Sequence, residues 1–153
     1  MYDVRFIDAD EWEDAMSLAY RTFLEFDASY FTPEGVRHFR EFISDNTLKR
    51  MSENGTFQVI GSYDGTKLIG VIALRSMSHI SLLFVDSKYH NKGIGRKLIS
   101  ELVDYAKLKL HQDFLTVNAA PYAYDFYHKM GFLDMASEVT QDGIIYTPMK
   151  YTF

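Results

Sequence analysis

The chain has 153 residues, of which 47% are hydrophobic and 24% charged, and 16 Lys and Arg against 21 Asp and Glu give a formal charge of −5. This length predicts one domain, which buries roughly 68–70% of the surface of its unfolded chain without disulfides or a structural metal. The absence of Cys excludes a disulfide framework, a thiolate zinc site and a cysteine nucleophile.

The first residues lack the basic stretch and apolar run of a signal peptide, and nowhere do 18 apolar residues run together. We therefore expect a cytoplasmic protein that does not span a membrane. The acidic balance argues against a general nucleic-acid binder, although a local basic patch could still hold one phosphorylated ligand.

The amino-terminal third predicts two helices after a short strand at residues 4–7. A capping-box spacing at residues 8–11 precedes apolar residues at helical spacing, which predicts a first helix over residues 10–26. Pro33 is expected at the first position of the second helix. Between the two helices, residues 27–32 form a predicted aromatic loop.

The middle of the chain predicts three antiparallel strands followed by a long helix. Alternating residues predict a hairpin of residues 57–62 and 68–74 around Asp64-Gly65. Residues 80–85 are too apolar for an exposed edge, so this strand is expected at the centre of the sheet. Apolar residues over 94–106 then recur at three- and four-residue steps, as on one face of an amphipathic helix.

A short strand at residues 114–117 and a helix at residues 121–130 follow, with Gly131 just beyond the helix end. Asp142-Gly143 lies between two apolar or alternating runs and predicts a last hairpin. This order of elements predicts an α+β fold over residues 1–153, with a mixed, mostly antiparallel sheet of six or seven strands and helices on both faces.

The stretch over residues 85–98 joins the central strand to the amphipathic helix through a polar turn that contains Gly93 and Gly95. The first amides of a helix have no intrahelical partner and lie at its positive end, and glycine allows backbone to approach a ligand closely. Positive charge in this turn comes from Lys92, Arg96 and Lys97. Together these features predict a binding site for a diphosphate.

Two known glycine patterns do not fit this turn. The Walker pattern of ATPases requires a glycine five residues before Gly95, which is absent. The dinucleotide-binding fingerprint requires a third glycine where Leu98 stands, and it expects a parallel βαβ unit that hairpin-linked strands do not supply. Taken alone, the two glycines could equally make a tight turn into a helix.

The sequence His-Asn-Lys-Gly-Ile-Gly at residues 90–95 resembles the Arg/Gln-x-x-Gly-x-Gly/Ala loop of the GNAT superfamily of N-acetyltransferases, which holds the pyrophosphate of acetyl-CoA. His90 departs from the pattern at its first position. Residues 115–132 are similar to the next strand of that family, its Asn, and its Ala-x-x-Phe-Tyr-x-x-x-Gly-Phe helix end. The resemblance covers about residues 57–132 and implies a GNAT-like fold; the amino-terminal third matches only in layout.

The resemblance implies which residues contact acetyl-CoA. The strand residues that would offer backbone to the pantetheine arm are Leu83, Phe84 and Val85. The residues that would wrap the pyrophosphate are His90, Asn91, Lys92, Gly93, Ile94, Gly95, Arg96 and Lys97. Further along the chain, Asn118 would hydrogen-bond the pantetheine arm, and Tyr124 and Tyr127 would line the channel between the separating strands.

Tyr127 occupies the position where many members of the family have a tyrosine that protonates the thiolate of CoA. Acyl transfer from a thioester to an amine needs a deprotonated amine, stabilisation of the developing oxyanion, and an acid for the departing sulfur. Tyrosine is protonated at pH 7 and can supply that proton without a covalent intermediate. A packed aromatic without a catalytic role is the alternative interpretation.

His79 is the candidate base, because it begins the central strand at a position where the histone-acetylating branch of the family carries a glutamate. Strand alternation predicts that His79 shares a face with Leu83 and Val85, and an unperturbed pKa near 6.5 suits proton transfer. The alternative is a histidine packed in a turn. Glu25 and Asp27, at the end of the first helix, are other candidates that could attract a cationic acceptor.

The predicted function is therefore transfer of the acetyl group from acetyl-CoA to a primary amine by direct attack. Neither metal-ligand spacing among the histidines nor a Gly-x-Ser-x-Gly elbow is present. Two alternatives stay open: a non-catalytic acyl-CoA-binding or regulatory module, and a transferase for another acyl group. The carboxy-terminal residues 138–153, with Ile144, Ile145, Tyr146 and Tyr151, offer an apolar edge through which a homodimer could form.

Overall fold

The computed structural model describes residues 2–153. The strands are β1 (Asp3–Phe6), β2 (Phe57–Asp64), β3 (Lys67–Arg75), β4 (His79–Val85), β5 (Phe114–Ala119), β6 (Leu133–Asp134), β7 (Val139–Gln141) and β8 (Ile144–Thr152). The α-helices are α1 (Trp12–Phe26), α2 (Pro33–Ser44), α3 (Asn46–Glu53), α4 (Ile94–Leu108) and α5 (Tyr124–Lys129).

The strands form one twisted layer in the order β1-β2-β3-β4-β5-β8-β6, and β7 pairs with β8 outside that path. All pairings are antiparallel except that of β4 with β5, which is parallel. The predicted α+β fold with a mixed, mostly antiparallel sheet is confirmed. Residues 2–153 contain eight strands instead of six or seven, because the two-residue strand β6 is too short to show a period in the sequence.

Helices cover both faces of the sheet, as predicted. On one face, buried residues of α4 such as Leu98 and Leu102 pack with Ile72 of β3 and with residues of α5. On the other face, Leu18 of α1 packs with Val71 of β3. Adjacent residues of β3 thus serve opposite cores, which is the period-two pattern of a strand buried on both sides.

The predicted helices are present with small shifts at their ends. The first begins with a 3₁₀ turn, Ala9–Glu11, in which the Asp8 N–H donates to Glu11 Oε1 at 2.8 Å. Helix α3 was not predicted. Its start is capped by Asp45, whose carboxylate accepts the Thr47 N–H at 2.7 Å, but Leu48 is the one residue of α3 that is fully buried. A helix with so narrow an apolar face gives little periodic signal.

The carboxy-terminal hairpin docks on the start of α2. Asp142 and Gly143 have φ values of 54° and 79°, as in the two-residue hairpin turn that their sequence predicts. The Thr32 N–H donates to the Gly143 carbonyl at 3.1 Å, and a side chain on Gly35 would collide with the same carbonyl oxygen. The hairpin is therefore held against the last residue of the aromatic segment 27–32 and the first turn of α2.

Among the helices of residues 2–153, none combines the length and the apolar character needed to cross a membrane.

Candidate functional site

The strands β4 and β5 separate soon after they meet. They pair at His79 with Thr116 and at Ile80 with Val117. Beyond these pairs β4 continues beside β3 as far as Val85, while β5 continues beside β8. The two facing edges therefore carry backbone N–H and C=O groups without a strand partner, and such groups require one when they are shielded from water.

A β-bulge at Ser81 shifts the register of β4 against β3 by one residue. Leu83 and Val85 after the bulge face the same core as Ile80 before it. His79, next to Ile80, lies on the other face. The expectation that His79 shares a face with Leu83 and Val85 is therefore wrong, since simple alternation does not hold across a bulge.

The imidazole of His79 contacts β5, where its Nδ1 lies 2.8 Å from Thr116 Oγ1. Burial lowers the pKa of His79 below its usual value, and the charge of Arg75 lowers it further. This keeps the ring neutral at pH 7. His79 does not line the cleft described next, and its role as the base stays a prediction.

A cleft of 660 Å³ opens where β4 and β5 separate, between the end of α1, the start of α4 and the segment that precedes α5. Three of the predicted residues line it from β4, namely Leu83, Phe84 and Val85. Six more line it from the loop and from α4, namely His90, Asn91, Gly93, Ile94, Gly95 and Arg96. A cleft of this volume is typical of a small-molecule site.

The loop that enters α4 has a backbone suited to an anion. Asn91 and Gly93 both adopt left-handed conformations, with φ values of 60° and 79°. The first hydrogen bond of the helix runs from the Lys97 N–H to the Gly93 carbonyl at 3.0 Å. The amides of residues 94–96 therefore come before the intrahelical ladder and remain available, at the positive end of the helix, to an anionic group.

Gly95 lies where α4 meets α5. A Cβ at this position would lie 3.2 Å from the ring of Phe126, so the absence of a side chain allows that ring to pack against the first turn of α4. The two glycines of the motif are therefore required for different structural reasons. Gly93 supplies the left-handed backbone, and Gly95 supplies space.

His90, which departs from the family pattern, holds the loop to the end of β4. Its Nε2 donates to the Val85 carbonyl at 2.7 Å, and its ring stacks on Phe26 with centroids 4.7 Å apart. Of the predicted cations, Arg96 lines the cleft. Lys92 is exposed outside the lining, and Lys97 pairs with Glu101 at 2.9 Å.

Tyr127 lies on α5 with only 4% of its surface exposed, and its ring packs edge-on against Phe126 and Phe132. Burial raises the pKa of Tyr127 above its usual value, and the Asp27 carboxylate raises it further. The phenol is therefore fully protonated at neutral pH. Tyr127 itself is not part of the cleft lining, although Phe126 beside it is.

The structure does not bring two further predicted residues to the lining of the cleft. The Tyr124 hydroxyl donates to Asp134 Oδ2 at 2.7 Å, towards β6. Asn118 is an exposed residue near the end of β5, opposite Pro148 of β8. Their contacts with pantetheine stay predictions.

Four further residues line the cleft that the family pattern did not point to as contacts with acetyl-CoA. Thr22, Phe26 and Asp27 lie at the end of α1, and Tyr122 lies in the segment that precedes α5. Asp27 is 8% exposed, and its Oδ1 has no hydrogen-bond partner among residues 2–153. Burial raises the pKa of Asp27 to about 6. From the sequence, Asp27 and Glu25 were equal alternatives to His79, because position at a helix end does not reveal which carboxylate is buried.

A second acidic group lies at the other end of α1, where carboxylate oxygens of Asp8, Asp10 and Glu11 are within 4.8 Å of one another. Glu11 Oε1 already accepts from the Asp8 N–H, the Arg5 guanidinium and the Tyr63 hydroxyl. Glu11 is thus held by donors from the protein itself.

Comparison with solved structures shows the fold in other proteins. A GCN5-related N-acetyltransferase of Rhodopseudomonas palustris superposes with a TM-score of 0.83 over 99% of this chain and 95% of that chain, at 19% identity. The PaiA N-acetyltransferase of Thermoplasma acidophilum, solved with coenzyme A, gives 0.81 over 100% and 99%, at 20% identity. A spermidine N-acetyltransferase of Vibrio cholerae gives 0.69 over 99% and 93%, at 14% identity.

Sequence comparison finds an uncharacterized N-acetyltransferase of Methanocaldococcus jannaschii that is 26% identical over 142 residues, or 86% of this chain. The chain spans 60% of the length of that relative. The family model described as an acetyltransferase (GNAT) domain matches residues 27–153, which include the separated strands, the glycine loop and α5. The chain belongs to the GNAT family of acetyltransferase domains.

Proposed function

We propose that this protein transfers the acetyl group of acetyl-CoA to a primary amine by direct attack of the amine on the thioester. The observation that carries the proposal is the unpaired edge of β4, which leads directly into the glycine loop and the amino terminus of α4. A backbone edge followed by free helix amides matches a ligand that has amide groups in one part and a diphosphate in the next.

The residues present fit acetyl-CoA along this path. Backbone groups of residues 83–85 can pair with the amides of pantetheine in the manner of an added strand. The amides of residues 94–96 and the guanidinium of Arg96 would hold the pyrophosphate. The coenzyme A complex of a structural neighbour with the same fold supports this assignment.

Tyr127 would give its proton to the departing sulfur, since a thiolate needs an acid that is still protonated at neutral pH. Its raised pKa means that the phenol is protonated at neutral pH, so its O–H is present to donate to the departing sulfur. His79 is a candidate base for the amine, with a neutral ring on the α1 face of β4.

The experiment is a thiol-release assay with acetyl-CoA and a panel of primary amines, followed by mass spectrometry of the amines. We expect release of CoA that depends on an amine, and an amine product that is heavier by one acetyl group. A folded protein that binds acetyl-CoA but releases no thiol with any amine would favour the non-catalytic alternative. Faster thiol release from a longer acyl-CoA than from acetyl-CoA would favour a transferase for another acyl group.

We also propose that two copies pair through the carboxy-terminal hairpin. Ile144, Ile145 and Tyr146 in β8 are only half-buried in one chain, which leaves apolar surface that pairing would cover. Tyr151, also named from the sequence, instead packs against Phe132 and Phe153 of its own chain. Sedimentation equilibrium should give twice the chain mass at micromolar concentrations. A single-chain mass at every concentration would contradict the pairing.

A further inference from the structure

Asp27 is a buried carboxyl group that has no ion-pair partner among the described residues. It follows the last residue of α1, is 8% exposed, and neither accepts a hydrogen bond at Oδ1 nor forms an ion pair among residues 2–153. The nearest basic residue on the same helix, Arg21, pairs instead with Asp86 at 3.1 Å. A buried carboxylate without a partner is costly, so its persistence in a cleft indicates a ligand that completes it.

The surroundings of Asp27 favour a cation as that ligand. Asp27 lines the cleft together with Phe26 and Tyr122, whose rings stack with centroids 5.0 Å apart. Phe84 is a further aromatic residue of the lining. Aromatic faces attract an ammonium group, and the attraction is greater where water is excluded.

Asp27 is the one carboxylate among the described residues that line the cleft. Arg96 is the one Lys or Arg side chain in that lining, and it lies in the first turn of α4, where the phosphates are proposed to bind. The imidazole of His90 also lines the cleft, and its Nε2 donates to the Val85 carbonyl. The α1 side of the cleft therefore offers an acceptor a carboxylate and aromatic rings.

We propose that Asp27 binds the ammonium group of the acceptor and removes its proton, and that the acceptor is therefore a primary amine with no carboxylate near the reacting nitrogen. This inference rests on the proposed function and deepens it, since it specifies the acceptor class and the base. A carboxylate on the acceptor would have to approach Asp27 in a site that offers it no cation.

The proton and electron balance is complete with these residues. Asp27 takes one proton from the ammonium, and the freed nitrogen lone pair forms a C–N bond with the acetyl carbonyl carbon. The C–S bond breaks, its electron pair stays on sulfur, and Tyr127 protonates that sulfur. Tyr127 regains a proton from the second N–H of the nitrogen, and Asp27 releases its proton to solvent.

The burial of Asp27 also suits this step. Its raised pKa, about 6, makes the carboxylate a stronger base than an exposed aspartate while leaving it mostly ionised at pH 7. His79 is the rival for this role, and it lies on β4 with its Nδ1 already in contact with Thr116.

The kinetic test compares D27N, H79Q and D14N with the wild type, using acetyl-CoA with butylamine, butane-1,4-diamine and 4-aminobutanoate. Asp14 is the matched control, because it is an exposed carboxylate of α1 outside the cleft lining. We expect D27N to lower kcat/KM by about 10²–10³-fold, D14N to change it less than about twofold, and 4-aminobutanoate to be the poorest acceptor. Wild-type kcat/KM in D27N, or a large loss in H79Q alone, would overturn the proposal.

A second readout does not need catalysis and separates this inference from the proposed function. Thermal unfolding is measured with butane-1,4-diamine or 4-aminobutanoate, both alone and with saturating CoA. We expect the diamine to raise the Tm of the wild type and of D14N but not of D27N, and 4-aminobutanoate to raise none of them. An equal rise in D27N, or no rise in the wild type under either condition, would overturn the ammonium site. If the wild type fails to bind CoA while the diamine still raises its Tm, the result would instead count against the proposed function and not against the ammonium site.

Discussion

Phe26 and His90 stack with ring centroids 4.7 Å apart, so the last residue of α1 contacts the first residue of the glycine loop. This contact joins the acceptor side of the cleft to the side proposed for the pyrophosphate. We expect F26A to weaken acetyl-CoA binding by about 2–10-fold, since an aromatic pair is worth about 0.5–1.5 kcal/mol. Leu24→Ala, at an exposed position of the same helix, should leave the affinity unchanged in calorimetry. Equal affinities for F26A and wild type would show that the stack does not order the loop.

Gly93 should tolerate no side chain without loss of acetyl-CoA affinity. Its φ of 79° costs a residue with a Cβ about 1–2 kcal/mol, and a shift of the loop would move the amides of residues 94–96. We expect G93V to bind acetyl-CoA about tenfold more weakly. G65V is the matched control, because Gly65 has a φ of 62° in the β2–β3 turn, away from the cleft lining. G65V should lose stability but keep wild-type affinity; the same loss of affinity in both variants would argue against the loop assignment.

Removal of the Tyr127 hydroxyl should affect turnover more than binding. We expect Y127F to keep its Tm and its acetyl-CoA affinity, because the ring contacts with Phe126 and Phe132 remain, while kcat falls by about 10²-fold. Y105F, on a half-buried tyrosine of α4 that packs against Phe6, is the control and should be fully active. A wild-type kcat in Y127F would mean that water or another group protonates the sulfur.

Asp27 should make stability depend on pH in a definite direction. Its pKa is about 6 in the folded state, whereas an aspartate in an unfolded chain ionises near pH 4. Between these values the folded protein retains a proton that the unfolded chain has lost, so the free energy of unfolding falls as the pH rises.

D27N has no carboxyl group at this position, so this fall in the free energy of unfolding is absent from the variant. We expect D27N and wild type to unfold at similar urea concentrations at pH 4, and D27N to be more stable by up to about 3 kcal/mol at pH 7. A difference between D27N and wild type that is the same at both pH values would contradict the burial of an ionisable, unpartnered Asp27.

Gly35 should be required for the docking of the carboxy-terminal hairpin. Helix propensity alone would make G35A more stable by about 1 kcal/mol. A Cβ there would instead collide with the Gly143 carbonyl oxygen, so we expect a loss of about 1–3 kcal/mol in urea unfolding. Ser44→Ala, at the exposed end of the same helix, should be nearly neutral. A stabilised G35A would show that the hairpin does not rest on α2.

Much of the fold could be predicted from local patterns, because most elements carry a strong period or a marked end. Pro33 begins α2, Gly131 follows α5 with a φ of 100°, and Asp142-Gly143 forms the last hairpin turn. The elements that were missed are those with weak patterns. Helix α3 buries fully only Leu48, and β6 has two residues.

The site could be predicted where a function depends on backbone, and less well where it depends on tertiary burial. Gly93 and Gly95 indicated the loop because glycine is required there for conformation or space. The face of His79 could not be predicted, since the bulge at Ser81 is set by pairing with β3. The burial of Asp27 depends on contacts between α1, β4 and the segment before α5, which no local pattern encodes.

Titration calorimetry of acetyl-CoA into the wild-type protein, with ATP and NAD titrated under the same conditions, shows whether the cleft between β4 and β5 is an acetyl-CoA site. We expect saturable binding of one acetyl-CoA per chain and no saturable heat from ATP or NAD. A folded protein that gives no saturable heat with acetyl-CoA would contradict it, and the two glycines would then be no more than a tight turn into a helix.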